Sequence, residues 1–117
     1  MGVYFNHPSC LEHDPRAFMP EHPDTPERLE ALEAHLAERD WLGWERRQAP
    51  AASEDDLRRV HSAEHVDRIR EMCLCGGGEI DADTFVGEAS YRAALHAAGG
   101  ACEMTRALVR GEAEHGF

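Results

Sequence analysis

The sequence predicts an α/β fold built on a parallel sheet, with this segment mostly helical, and three observations carry that prediction. The opening run Val3-Tyr4-Phe5 is β-prone and shows no helical period. Several later stretches carry apolar residues at helical spacing. The last four residues, Glu114-His115-Gly116-Phe117, read as the approach to another strand. Helices interposed between strands are what parallel pairing requires, because a tight turn cannot join two parallel strands.

After the opening strand, the His, Pro, Asn and Asp residues up to Asp24 predict a long loop. Thr25 offers an N-cap oxygen, Pro26 sits where a missing N–H costs nothing, and Glu27 favours the helix dipole, so a helix starts there. Its Leu29, Leu32 and Leu36 share a face, with Glu30, Glu33 and Arg39 assigned to solvent. Trp41-Leu42-Gly43-Trp44 breaks the pattern, and Arg46 to Ala52 is expected to be a connector with a short strand. Ser53 with Asp56 resembles a capping box for a short helix holding Leu57 and Val60. Ser62 caps another helix, holding Val66, Ile69 and Met72 and ended by Gly76-Gly77-Gly78. From Ala89 to Arg110, the residues Tyr91, Leu95, Ala98, Cys102, Thr105 and Val109 recur at helical period, and Gly111 supplies the C-cap. Gly99 and Gly100 inside this longest helix each cost about 1 kcal/mol relative to Ala, which implies that another backbone passes close by.

Composition narrows the function. At 117 residues and 42% hydrophobic, the chain has enough material for one small core. Its 23 acidic and 12 basic residues leave a formal charge of −11, which repels a phosphate backbone and argues against direct nucleic-acid binding. No apolar run approaches the ~20 residues a membrane span needs, and the first residues show no signal-peptide pattern, so a cytoplasmic protein without membrane partners is expected. Cys10, Cys73, Cys75 and Cys102 form no paired framework, and Cys73-Leu74-Cys75 at a helix end reads more readily as small apolar side chains than as a soft-metal site.

The loop before the first long helix carries His13-Asp14 and then His22-Pro23-Asp24-Thr25-Pro26-Glu27-Arg28-Leu29. That string resembles the HPxxPxR signature of zinc-dependent histone deacetylases and their bacterial relatives, including acetoin-utilisation proteins and acetylpolyamine amidohydrolases. The resemblance continues in order. Asp56-Leu57 to Val60-His61 and Val66 look like the family's "DL..VH...YV" segment, and Gly76 to Thr84 like its glycine-rich stretch ending in Asp-Thr. Ser90 to Gly100 is similar to its "SYxAALxAAGG" helix, and Gly111-Glu112-Ala113 with Gly116-Phe117 to the lead into its catalytic strand. His65 departs from the pattern, since relatives commonly carry Tyr there. Five segments in correct order and spacing are far more specific than any one of them.

The resemblance implies a three-layer α/β/α fold of the arginase/deacetylase type, with residues 1–117 forming the N-terminal portion of a single deacetylase domain. It implies a parent that hydrolyses acetyl-lysine in proteins, or acetylated amines and polyamines. In that family a zinc ion held by two carboxylates and a histidine polarises the acyl carbonyl, a His-His dyad handles protons and a Tyr steadies the oxyanion. None of these elements occurs by Phe117; the dyad is expected just beyond, so Zn²⁺ belongs to the complete parent, no catalytic residue or metal ligand to this segment, and the segment alone is expected to be inactive.

Two positions carry over by resemblance. Arg28 matches an arginine beneath the pocket, beside an internal channel for the acetate product, where a guanidinium can hold a carboxylate bidentately; the bland alternative is an ion pair with Glu27, Glu30 or a nearby loop. Asp83 matches a rim aspartate that accepts hydrogen bonds from the substrate backbone; the alternative is an ordinary loop aspartate. His13 and Asp14 are weaker substrate-binding candidates in the loop bordering the entrance, with Phe18 and Met19 shaping its rim, although a loop His-Asp pair is more often a local turn. His61 and His65, at i and i+4, have the spacing of helical zinc sites but lack the glutamate of HExxH. Two rival readings are a self-contained helical module that binds a protein partner, and a metal-binding protein using His61, His65 and the two close cysteines.

Overall fold

The computed structural model describes all 117 residues. Strand β1 (Gly2–Asn6) is the centre of a three-stranded parallel sheet, flanked by β2 (Glu45–Gln48) and β5 (His115–Gly116). Val3 lies opposite Glu45 on one side and Gly116 on the other. Val3 and Tyr4 are buried, as expected of a central strand covered on both faces. The predicted opening strand, the short strand in the connector and the final strand are therefore all present.

The loop after β1 is more ordered than its composition suggested. It contains two 3-10 turns, Pro8–Glu12 and Pro15–Ala17, each opening on proline. His7 Nδ1 accepts the Ser9 N–H at 3.1 Å, and Asp14 Oδ1 accepts the Arg16 N–H at 3.1 Å. These local caps replace the missing backbone ladder.

Helix α1 (Pro26–Ala37) starts where proline predicts, but the Thr25 hydroxyl makes no capping bond. Leu29, Leu32 and Leu36 are half-buried, and no residue of α1 is fully buried. Glu33 faces inward, contrary to the sequence-based expectation, because two donors of β1 meet it: Tyr4 Oη at 3.0 Å and Asn6 Nδ2 at 2.8 Å. Burial, reinforced by this carboxylate, pushes the Tyr4 phenol up.

Helices α2 (Glu54–Arg58) and α3 (Ala63–Leu74) carry the expected serine caps, with Ser53 Oγ accepting the Asp56 N–H and Ser62 Oγ the His65 N–H, both at 3.1 Å. The Asp56 carboxylate instead accepts from Arg106 at 3.0 Å, and α2 ends before Val60, which is left 80% exposed. Gly76 and Gly77 end α3 with φ of +100° and +96°, a region open to glycine. They lead into an antiparallel hairpin of β3 (Gly78–Asp81) and β4 (Thr84–Val86) that the sequence did not announce.

Helix α4 (Ser90–Val109) has nearly its predicted bounds but a different buried face. Ser90, Ala93, Gly99, Gly100 and Ala107 are buried, whereas Tyr91, Leu95, Ala98 and Cys102 sit on its half-buried shoulder and Thr105 and Val109 are exposed. The close backbone inferred from the two glycines is the connector after β2. A Cβ on Gly99 would collide with the Pro50 carbonyl and lie 2.7 Å from the Ala52 nitrogen. The Ala52 N–H donates to the Leu95 carbonyl at 2.9 Å, and His96 Nδ1 donates to Ala49 O at 2.8 Å. Small residues are what allow this helix to lie against another backbone.

The segment is open for its length. Its radius of gyration is 15.4 Å, against about 13 Å for a self-contained domain of this size. Its accessible surface is 7289 Å², against about 6400 Å² by the scaling for monomers. No helix is long and apolar enough to cross a membrane.

Candidate functional site

Polar groups gather where the loop after β1 meets the hairpin and the starts of α1 and α4, around a cavity of about 560 Å³. Open α/β sheets bind ligands outside the carboxyl ends of their strands, which is where this loop lies. Asp24, just ahead of the α1 cap, is the hub. Its carboxylate accepts from Arg28 Nη1 at 2.8 Å and lies 3.2 Å from His13 Nε2. Its backbone N–H donates to His22 Nδ1 at 3.0 Å.

The acceptor-only carboxylate fixes the proton of neutral His13 on Nε2, leaving Nδ1 to accept from the Ser90 hydroxyl at 2.7 Å. Ser90 Oγ in turn accepts the Gly87 N–H at 2.8 Å, so this buried hydroxyl is satisfied in both directions. The same logic fixes His22: Nδ1 accepts, so Nε2 carries the proton and donates to the Asp83 carbonyl at 2.6 Å. Phe18 stacks on Phe85 with ring centroids 6.2 Å apart, and His22 meets Phe85 edge-on at 6.0 Å. The loop and hairpin are thus joined by an aromatic wedge as well as by a hydrogen bond.

Each residue singled out in the sequence has a definite place. Arg28 is exposed and pairs with Asp24 of the preceding loop, the bland alternative weighed for it, and with neither Glu27 nor Glu30. Asp83 occupies the exposed turn between β3 and β4; its N–H donates to Asp81 Oδ1 at 3.2 Å, and its carboxylate accepts only from the Thr84 hydroxyl, at 3.4 Å, while lying beside the Asp81 carboxyl. Hydrogen bonds from Thr84 and from the Asp83 N–H hold the Asp81 carboxyl below its usual range.

His13 and Asp14 are adjacent in sequence but separate in role. His13 joins the Asp24 network, whereas Asp14 grips the Arg16 guanidinium through Nε at 2.8 Å and Nη2 at 2.6 Å. The Arg16 hydrogen bonds bring the Asp14 carboxyl down to about 2. Arg16 also reaches Glu27 at 3.0 Å, tying the loop to the first turn of α1.

The His61 and His65 rings are 5.0 Å apart on exposed residues, while Cys73 is buried and Cys75 exposed. No three His, Cys, Asp or Glu side chains converge to hold a metal, so the donors present here do not fit the zinc that the resemblance implies. Sequence reasoning missed Asp24 as the hub, and gave neither His22 nor Ser90 a role although both stand in the quoted motifs. Their partners lie 61 and 77 residues away, beyond any local pattern.

Fold and site together define part of an α/β domain whose polar residues collect at a strand's carboxyl end. The histone deacetylase domain model matches residues 22–117. A histone deacetylase-like amidohydrolase of Pseudomonas aeruginosa is 36% identical over 99 residues, 83% of this chain and 25% of that protein. An uncharacterized protein of Synechocystis sp. is 33% identical over 76 residues, 62% of this chain and 25% of that one. The crystal structure of the HDA15 HD domain superposes with a TM-score of 0.92 at 28% identity, covering 99% of this chain and 33% of that chain. The chain belongs to the histone deacetylase family, and its α/β fold is of the deacetylase type. It spans about a quarter of the length of the curated relatives it matches.

Proposed function

We propose that residues 1–117 are the N-terminal portion of a single deacetylase domain, in a protein that hydrolyses acetyl-lysine or acetylated amines and polyamines. The observation that carries this is the superposition on the HDA15 HD domain along 99% of the chain. The open shape supports it: a radius of gyration of 15.4 Å suits elements built to be covered by further structure. Zinc is the cofactor proposed for the whole protein, held by residues outside this segment, and the segment alone is inactive.

Within that domain the loop with His13, Asp14, Phe18 and Met19 borders the entrance. Asp83 stands at the rim and accepts backbone N–H groups beside the acylated amine, and Arg28 serves the channel that receives acetate. A net charge of −11 suits cationic partners, lysine-rich protein or polyamine, and the protein works in the cytoplasm without nucleic acid or membrane.

The test is turnover of acetylated peptide and acetylated polyamine by the whole zinc-loaded protein. Asp83→Ala and Arg28→Ala are each expected to lower kcat/KM about tenfold or more on at least one of these substrates. Unchanged turnover in both variants would refute the assigned roles.

A further inference from the structure

We infer that His22 is a positioning residue that sets the rim at Asp83 by holding the hairpin turn through its backbone carbonyl, an inference that rests on the rim role proposed for Asp83. The hairpin has little to fix it. Its strands are four and three residues long, with an irregular register between Glu79 and Asp81. A hairpin of this size is marginal without outside support. The Asp83 side chain has the long Thr84 bond and the neighbouring Asp81 carboxyl, both within the turn itself, so the direction of its carboxylate depends on where the turn is placed.

His22 supplies that placement. Its Nε2–H donates to Asp83 O at 2.6 Å, the one side-chain hydrogen bond from the loop after β1 to the turn. The imidazole is itself held on its other edge by the Asp24 N–H at 3.0 Å, which fixes the tautomer and aims the donor. Phe85 meets the ring edge-on at 6.0 Å and limits its swing. By taking the carbonyl, His22 leaves the Asp83 carboxylate free for a substrate backbone. Through Asp24 the same tie reaches Arg28 at 2.8 Å and His13 at 3.2 Å, so rim, loop and α1 form one hydrogen-bonded unit. His22 touches no substrate in this arrangement; it acts through Asp83.

The experiment compares two substrates in the whole zinc enzyme: acetyl-lysine inside a peptide, which offers flanking backbone N–H groups, and a monoacetylated diamine, which offers none. His22→Ala is expected to lower kcat/KM on the peptide about five- to tenfold, chiefly by raising KM, and to leave the diamine within about twofold. His22→Gln, whose terminal amide nitrogen takes the place of Nε2, should restore most of the loss. In the His22→Ala/Asp83→Ala pair, peptide turnover should be no lower than in Asp83→Ala alone. Amide exchange should quicken in residues 82–86 of His22→Ala and slow again in His22→Gln.

Equal losses on both substrates without rescue by glutamine would make His22 a general structural residue and overturn the inference. Peptide turnover unchanged in His22→Ala but reduced in Asp83→Ala would overturn it while sparing the rim role. No effect of Asp83→Ala on the peptide, or an enzyme that accepts the diamine and not the peptide, would remove the rim role and the inference with it.

Discussion

Helices α1 and α4 show that apolar character and burial are different things. Helix α1 presents three leucines on one face, yet none of its residues is fully buried. Helix α4 buries Ser90, Ala93, Gly99, Gly100 and Ala107, residues with almost no side chain to bury. The difference is the distance of closest approach. At α4 the connector from Ala49 to Ala52 runs directly over the two glycines, so backbone and Cβ atoms supply the contact. At α1 the leucines stand off, and the start of the helix is held by polar ties: Arg16 to Glu27 at 3.0 Å and Arg28 to Asp24 at 2.8 Å. One helix is locked by shape, the other anchored by charge and partly uncovered.

The largest expected effect breaks the lock. Gly99→Val in the whole protein should destabilise it by about 3 kcal/mol, because its side chain meets Pro50 and Ala52 backbone that cannot retreat without losing the bond to Leu95. Leu32→Ala on α1, within the isolated segment, should leave its helical signal nearly unchanged, since that leucine is half-buried. Urea denaturation checks the first and circular dichroism the second; a marked loss of helix in Leu32→Ala would reverse the comparison.

A smaller effect sharpens the other side. The Arg16 hydrogen bonds bring the Asp14 carboxyl down to about 2, and the Glu27 carboxyl is also lowered, by its backbone N–H and then by Arg16. A carboxyl lowered in the folded state contributes stability above its ordinary range and loses it as pH falls through the folded value. Acidification toward about 2 should therefore loosen the loop and first turn of α1, while the close-packed stretch of α4 at Gly99 and Gly100 stays protected. Carboxyl titration by NMR, with Arg16→Ala returning Asp14 toward 3.8, checks the cause.

How much was legible follows the same division. Local chemistry was readable: the β-prone opening, the serine caps at Ser53 and Ser62, the glycine stop after α3, and the implied close approach at Gly99. The buried face of α4 was not, because a stripe of Ser, Ala and Gly carries no apolar signal and the bulkier Tyr91 and Leu95 on the shoulder set the apparent phase. The inward turn of Glu33 was hidden for a related reason: a carboxylate reads as solvent-facing until the donors on β1 are known. For the candidate site, the motif around His22 to Arg28 lies in the loop where the polar network gathers, and the resemblance singled out Arg28 and Asp83. What the loop does with its histidines depends on partners at Asp83 and Ser90, which only the folded chain brings near.

The central claim is that these elements belong to a larger domain. Val60, Leu74, Val109 and Phe117 are between 61% and 83% exposed, and only 15 of 117 residues are buried. The direct measurement is a thermal melt of the isolated 117 residues with a dye that reports exposed apolar surface. The account predicts a broad, non-cooperative transition with dye bound at the start. A sharp two-state melt without dye binding would contradict it and favour a self-contained module.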